Sequence, residues 1–192
     1  MFEKTPRPLG EALRGARAGT EKLVCRSDDF QDIPRSIDLK SPAFEDGGAI
    51  PARFTADGEG VSPPLAWSGV PADAVTLVLL VEDPDAPSTS PLVHAIVWDL
   101  PAREGGLAEG ALKGSAGERE PHDHVGRNSF LQAEYLPPDP PTGHGPHRYV
   151  FQLYALDRRL DLDGSPGRGK VVDAMTGHVL AIGELTGVYE RP

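Results

Sequence analysis

Cysteine occurs once in this chain, at Cys25. No internal disulfide can form, so burial and hydrogen bonding must hold the fold, and a reducing, cytoplasmic setting is the expectation. No apolar run approaches the length of a membrane-spanning helix. Met1 to Arg26 also lacks the apolar middle of a secretory signal, which points the same way. Basic residues are outnumbered: 19 Lys and Arg stand against 29 Asp and Glu, a net charge of -10. A nucleic-acid partner calls for a basic face and is not expected. A small anionic ligand is not excluded, because exposed charges are screened beyond roughly 8 Å at physiological salt and a local pocket can differ from the whole.

Glycine and proline are plentiful, 22 and 20 in 192 residues. Proline is costly inside helices and excluded from central strands, so this composition favours short strands joined by many turns. The length suits one domain with an appendage. Residues 1–34 are that appendage, locally basic through Lys4, Arg7, Arg14, Arg17, Lys22 and Arg26. Leu9, Ala12, Leu13 and Ala16 have helical spacing, with Pro8 in the first turn. The stretch reads as a partly helical or mobile extension; the alternative is a helix docked on the acidic body or on a second subunit.

From residue 35 to residue 192 the pattern is strand and turn. Strands are expected at 37–39, 50–55, 75–81, 94–98 (within 92–100) and 148–156, with 62–67 extended by its prolines and the Gly-rich region 105–117 as a long loop. Val172, Met175, Val179 and Ile182 recur at helical spacing and predict one helix near the C-terminus. The expected fold is mainly β, antiparallel, with peripheral helices.

The most unusual stretch is Asp83-Pro84-Asp85-Ala86-Pro87, directly after the apolar run 75–81. The chain is expected to leave the core at Glu82 and turn through this stiff acidic corner. His94 enters the next strand, and His147-Arg148-Tyr149 opens the strand after the Pro-rich loop 136–146. If these strands are neighbours, two carboxylates, two imidazoles and a phenol meet. Strand alternation puts His147 and Tyr149 on one face and Arg148 on the other, as an ion-pair partner.

Other motifs weaken on inspection. Gly164 to Lys170 nearly spells a phosphate-binding loop, but Val171 stands where Ser or Thr is needed. His122-Asp123-His124 lacks a second ligand pair and reads as an exposed loop rather than a metal site. There is no Gly-x-Ser-x-Gly pattern and no cofactor fingerprint. A hydrolase using an Asp–His pair is the enzymatic alternative; the expectation is a binding protein and not an enzyme, with neither metal nor cofactor.

Asp57-Gly58, Ser62-Pro63-Pro64-Leu65-Ala66-Trp67, Asp83-Pro84-Asp85-Ala86-Pro87, His94, Gly126-Arg127-Asn128-Ser129-Phe130 and Gly145-Pro146-His147-Arg148-Tyr149 follow in one order. Together they resemble the phosphatidylethanolamine-binding protein, or Raf kinase inhibitor-like, family. Residues 43–51 are similar to the opening of its bacterial branch, and the first 35 residues lie outside the resemblance. The resemblance implies a β-sandwich of two antiparallel sheets with a small anion pocket for phosphate or a phosphoethanolamine headgroup. It implies that Asp83 faces the ligand, that Ala86 and Pro87 line the mouth, that His94 and His147 supply imidazole donors, and that Tyr149 supplies a hydroxyl. Pro140 and Pro141 belong to a further wall, and a cis bond at one or more of the corner's prolines is compatible with the resemblance.

A homodimer is implied too, as is a regulatory role; inhibition of a kinase or protease through protein contacts is the alternative. Asp85 is expected to be structural, bonding its own backbone or Arg148. Pro137 and Asp139 stand where the family commonly has glycine, and an Asp139 carboxylate about 4 Å from a bound anion would repel it by roughly 4 kcal/mol at an intermediate dielectric. Asp139 is expected to point to solvent. Histidines beside Asp83 should have their charged form favoured, so anion affinity is expected to rise as pH falls from about 8 to 6.

Overall fold

The computed structural model describes residues 6–112 and 124–191. Strands β1 (Asp38–Lys40), β2 (Leu65–Ser68) and β5 (Gly105–Leu107) form a small sheet in the order β1-β2-β5. Strands β3 (Thr76–Asp83), β4 (Leu92–Pro101), β6 (His124–Val125), β7 (His147–Leu156) and β8 (Val179–Tyr189) form a larger one in the order β6-β4-β3-β7-β8. Neighbouring strands in both sheets are antiparallel. Helices α1 (Arg7–Ala12) and α2 (Arg168–Met175) lie outside the sheets.

β3 is buried along its whole length because both of its faces are covered. Leu77, Leu79 and Val81 point into the space between the sheets, with Leu39, Trp67, Val97, Phe151 and Leu153. Val78 and Leu80 point the other way, into a second core with Ile96, Trp98 and Tyr154. That face is covered by α2, through Val171 and Met175, and by Leu23, Val24, Cys25 and Phe30 of the N-terminal stretch. The fold is the expected antiparallel β-sandwich, with a second apolar layer on its larger sheet.

The N-terminal stretch is tied down by polar bonds as well. Glu82 is fully buried on the second-core face of β3, where it accepts from Val24 N at 3.1 Å, Gln152 Nε2 at 2.9 Å and Arg168 Nε at 2.6 Å. Gln152 Oε1 in turn accepts from Cys25 N and Tyr154 Oη. A buried carboxylate is tolerable only when paired and hydrogen-bonded, and here the pairing doubles as an anchor. Arg168, inside the stretch that nearly spells a phosphate loop, is occupied by this bond.

Several expectations are corrected. Strand β3 continues through Glu82 to Asp83, so the chain does not leave the core at Glu82. Residues 52–54 form a 3-10 turn rather than a strand, started by Pro51. The Gly-rich region contributes strand β5 at its start, while residues 113–117 of it lie outside the described residues. The C-terminal helix stops at Met175, where Gly177 adopts a left-handed φ of 79°. Val179 and Ile182 therefore belong to β8 and not to the helix. No peptide bond among the described residues is cis, including those of the acidic corner.

Phe30 is 1% exposed and meets Tyr154 edge-on, with ring centroids 5.8 Å apart. Phe30→Ala should therefore destabilise the fold by about 3 kcal/mol or more in urea unfolding. An unchanged midpoint would show that residues 20–33 do not cover the sheet in solution.

Candidate functional site

Because β3 lies between β4 and β7, the ends of the three strands carry their polar residues to one place. Asp83, Ala86, Pro87, His94, Pro140, Pro141, His147 and Tyr149 all line one cavity of about 220 Å³. Leu92, Phe130, Leu136, Pro137 and Asp139 complete much of its wall, which is predominantly apolar.

The polar side of the cavity rests on a row of three side chains. Asp83 Oδ2 lies 2.8 Å from His147 Nδ1, and His147 Nε2 lies 2.7 Å from His144 Nδ1. His144 Nε2 reaches the carbonyls of Leu13 at 2.7 Å and Ala16 at 3.2 Å. Carbonyl oxygens only accept, so the proton of that last contact sits on His144. The central bond needs one proton and the bond to Asp83 another. Counting them, the row contains one proton more than an ionised Asp and two neutral imidazoles would hold, and its net charge is zero. Burial and the neighbouring His147 push His144 below the ordinary histidine range. The extra proton therefore belongs to the Asp83–His147 pair, and with Asp83 ionised His147 donates from both nitrogens.

His94 behaves differently from its expected role. Its Nδ1 donates to Leu136 O at 2.7 Å, while its Nε2 is buried and has no hydrogen-bond partner among the described residues. Burial lowers its pKa despite the opposing pull of Asp83, so a charged resting His94 is corrected to a neutral one. A neutral ring bonded this way presents a lone pair at Nε2. The ring meets Tyr149 edge-on at 5.0 Å. Burial, reinforced by Asp83, raises the Tyr149 phenol well above its usual range, so it keeps its proton and remains a neutral donor.

Asp85 turns away from the cavity. Its carboxylate accepts from Arg148 N at 2.9 Å and from the Arg148 guanidinium at 2.8 and 2.7 Å, and it pairs with Arg17 at 2.8 Å. Its own N–H donates to Asp83 Oδ1 at 2.7 Å, which closes the corner. Burial alone would raise this carboxyl, but the Arg148 and Arg17 bonds outweigh it and hold it at about 2. Asp139 does not point to solvent. It lines the cavity and pairs with Arg191 at 2.7 Å, where its side chain is 10% exposed. The guanidinium that also binds Asp57 makes this burial tolerable.

The sandwich and this cavity place the chain among known proteins. A sequence profile described as "Phosphatidylethanolamine-binding protein" matches residues 40–190. The chain belongs to the phosphatidylethanolamine-binding protein family, in its bacterial branch. A UPF0098 protein of Methanothermobacter thermautotrophicus is 43% identical over 155 residues, 81% of this chain and 99% of that protein. The crystal structure of the putative family homolog CT736 of Chlamydia trachomatis is 37% identical with a TM-score of 0.73, covering 82% of this chain and 99% of that one. Escherichia coli YbcL, described as a new member of the mammalian PEBP family, is 29% identical with a TM-score of 0.76 and the same coverage.

Sequence reasoning missed two participants. His144 stands three residues before His147, and that spacing was the available signal. Arg191 carries no local signal, since it reaches Asp139 from the far end of the chain. Of the expected exposed loop His122-Asp123-His124, the first two residues lie outside the described residues, and His124 stacks on Trp98. Among the described residues no group of three or more His, Cys, Asp or Glu is arranged to hold a metal ion.

The Asp85 pairing has a pH signature. A carboxyl held at about 2 against an ordinary 3.8 stabilises the fold above the ordinary value and loses that contribution as pH falls through the lower one. Asp85→Asn should unfold at lower denaturant than the wild type at pH 7, and the gap should shrink as pH drops from about 4 towards about 2. A gap independent of pH would contradict the ion pair.

Proposed function

We propose that this protein binds a small oxyanion, phosphate or the phosphoethanolamine headgroup, in the cavity bounded by Asp83, His94, His147 and Tyr149, as a binding and regulatory protein rather than an enzyme. The observation that carries the reading is the buried Nε2 of His94, unpartnered among the described residues, in a cavity whose two carboxylates are both paired, Asp83 with His147 and Asp139 with Arg191. An unpaired buried polar atom costs about 1–3 kcal/mol, and a ligand group that pairs with it recovers that. A proton-bearing oxyanion can donate to His94 and accept from the Tyr149 hydroxyl. The apolar walls exclude water and strengthen both bonds.

Binding is favoured over turnover because both ring nitrogens of His147 are engaged, one by Asp83 and one by His144. Neither is free to take a proton from a substrate, which a general base must do. The family membership supports the same reading. Among the described residues no helix is long and apolar enough to cross a membrane; a cytoplasmic setting belongs to the proposal.

Isothermal titration should show saturable one-to-one binding of phosphoethanolamine, displaced by inorganic phosphate. Ala86→Leu, which fills the cavity from a position that is 5% exposed, should abolish binding with little change in the unfolding midpoint. Unchanged affinity in that variant would move the ligand elsewhere. Steady phosphate release from simple phosphoesters, lost in the same variant, would support the hydrolase instead.

A further inference from the structure

Residues 13–19 run along the outer side of the acidic corner and of the loop leading into β7. Ala18 N donates to Ala86 O at 3.0 Å and Gly19 N to Pro84 O at 2.9 Å. Arg14 Nε donates to Gly143 O at 2.7 Å, and Arg17 pairs with Asp85. Between these contacts the carbonyls of Leu13 and Ala16 accept from His144 Nε2. This strap lies outside residues 40–190, the part matched by the family profile.

The strap decides a tautomer. With the two carbonyls in place, His144 must carry a proton on Nε2, and its Nδ1 is an acceptor that His147 must satisfy. His147 then donates on both sides and balances Asp83. Without the carbonyls, His144 can move its proton to Nδ1 and donate to His147 Nε2. All bonds of the row survive in that arrangement, but with one proton fewer and a net charge of −1. Two states of the same three side chains thus differ by one unit of charge at the cavity wall.

We propose that the N-terminal strap is a charge switch for the cavity. Docked, it holds the Asp83–His147–His144 row neutral and receptive to a small anion; undocked, it lets the row become negative and repel that anion. His144 is on this view a positioning residue, since it acts on the ligand through His147. The inference rests on the anion-pocket reading of the proposed function. Other charged groups around the row do not duplicate it. Asp85 keeps Arg148 in either state, and Asp139 keeps Arg191. Arg17 leaves with the strap, which acts in the same direction. Arg14, Arg17 and Glu190 line the cleft on the far side of His144, and His94 faces the row across the cavity.

Gly10 offers a way to undock the strap in the full chain. A Cβ at this position would stand 2.0 Å from Thr142 O, so Gly10→Val forces α1 off its seat. Phosphoethanolamine affinity would be measured for wild type, His144→Ala and Gly10→Val at about pH 6 and about pH 8, on either side of the ordinary imidazole range. At the lower pH the solvent supplies the proton that the docked strap otherwise keeps in the row, and both variants should bind within about twofold of wild type. At the higher pH both should bind about tenfold or more weakly, the effect of an uncompensated charge a few ångströms from the ligand. Titration of His94 and of the ligand is common to all three proteins and cancels in the ratio. A ratio that is the same at both pH values, as simple loss of structure would give, overturns the switch, and so does wild-type affinity at both. Failure of wild type itself to bind overturns the anion reading and the switch together, a distinct result.

Discussion

The structure depends on the neutralisation of a carboxylate buried at a strand end. Asp83 is 3% exposed at the end of β3, where an unpaired negative charge would be prohibitive. Its charge is answered by a bonded row, Asp83 to His147 to His144, that ends on two backbone carbonyls of a segment far away in sequence. Hydrogen-bond counting leaves the row with no net charge whichever group is assigned the extra proton. That count makes the acidic corner compatible with the proposed anion site, even in a chain of net charge −10.

Two adjacent carboxylates on β3 point to opposite faces, as strand alternation requires. Glu82 anchors Val24 and the second apolar layer, and Asp83 shapes the cavity. The N-terminal stretch touches both systems, with residues 23–30 covering the sheet and residues 13–19 strapped across the corner. Appending these residues to the family fold has therefore added both a packing layer and a contact to the site. Gly19, with φ of 106°, joins the two parts in a conformation that favours glycine.

Much of the fold was legible because the central strands are rich in branched and aromatic residues with clear boundaries. β3 and β7 were read close to their observed spans and β4 through its middle, and alternation correctly put His147 and Tyr149 on one face with Arg148 opposite, bonded to Asp85. β8 was obscured because Val179 and Ile182 continue the helical spacing of α2, and only the left-handed turn at Gly177 separates them. The covering role of Phe30 was invisible, since residues 20–33 have no periodicity to betray a buried face. The protonation of His94 was misjudged because nearby charge was weighed and burial was not. Asp139 was expected in solvent because its partner, Arg191, sits 52 residues away in the sequence. For Phe30 and Asp139 the deciding partners, Tyr154 and Arg191, were distant along the chain.

Long-range ¹H–¹⁵N correlation of the imidazole nitrogens at neutral pH reads the proton count of the Asp83–His147–His144 row directly. The prediction is a doubly protonated His147, a His144 carrying its proton on Nε2, and a His94 carrying its proton on Nδ1 alone. A spectrum in which His144 and His147 are both singly protonated beside an ionised Asp83 would contradict it.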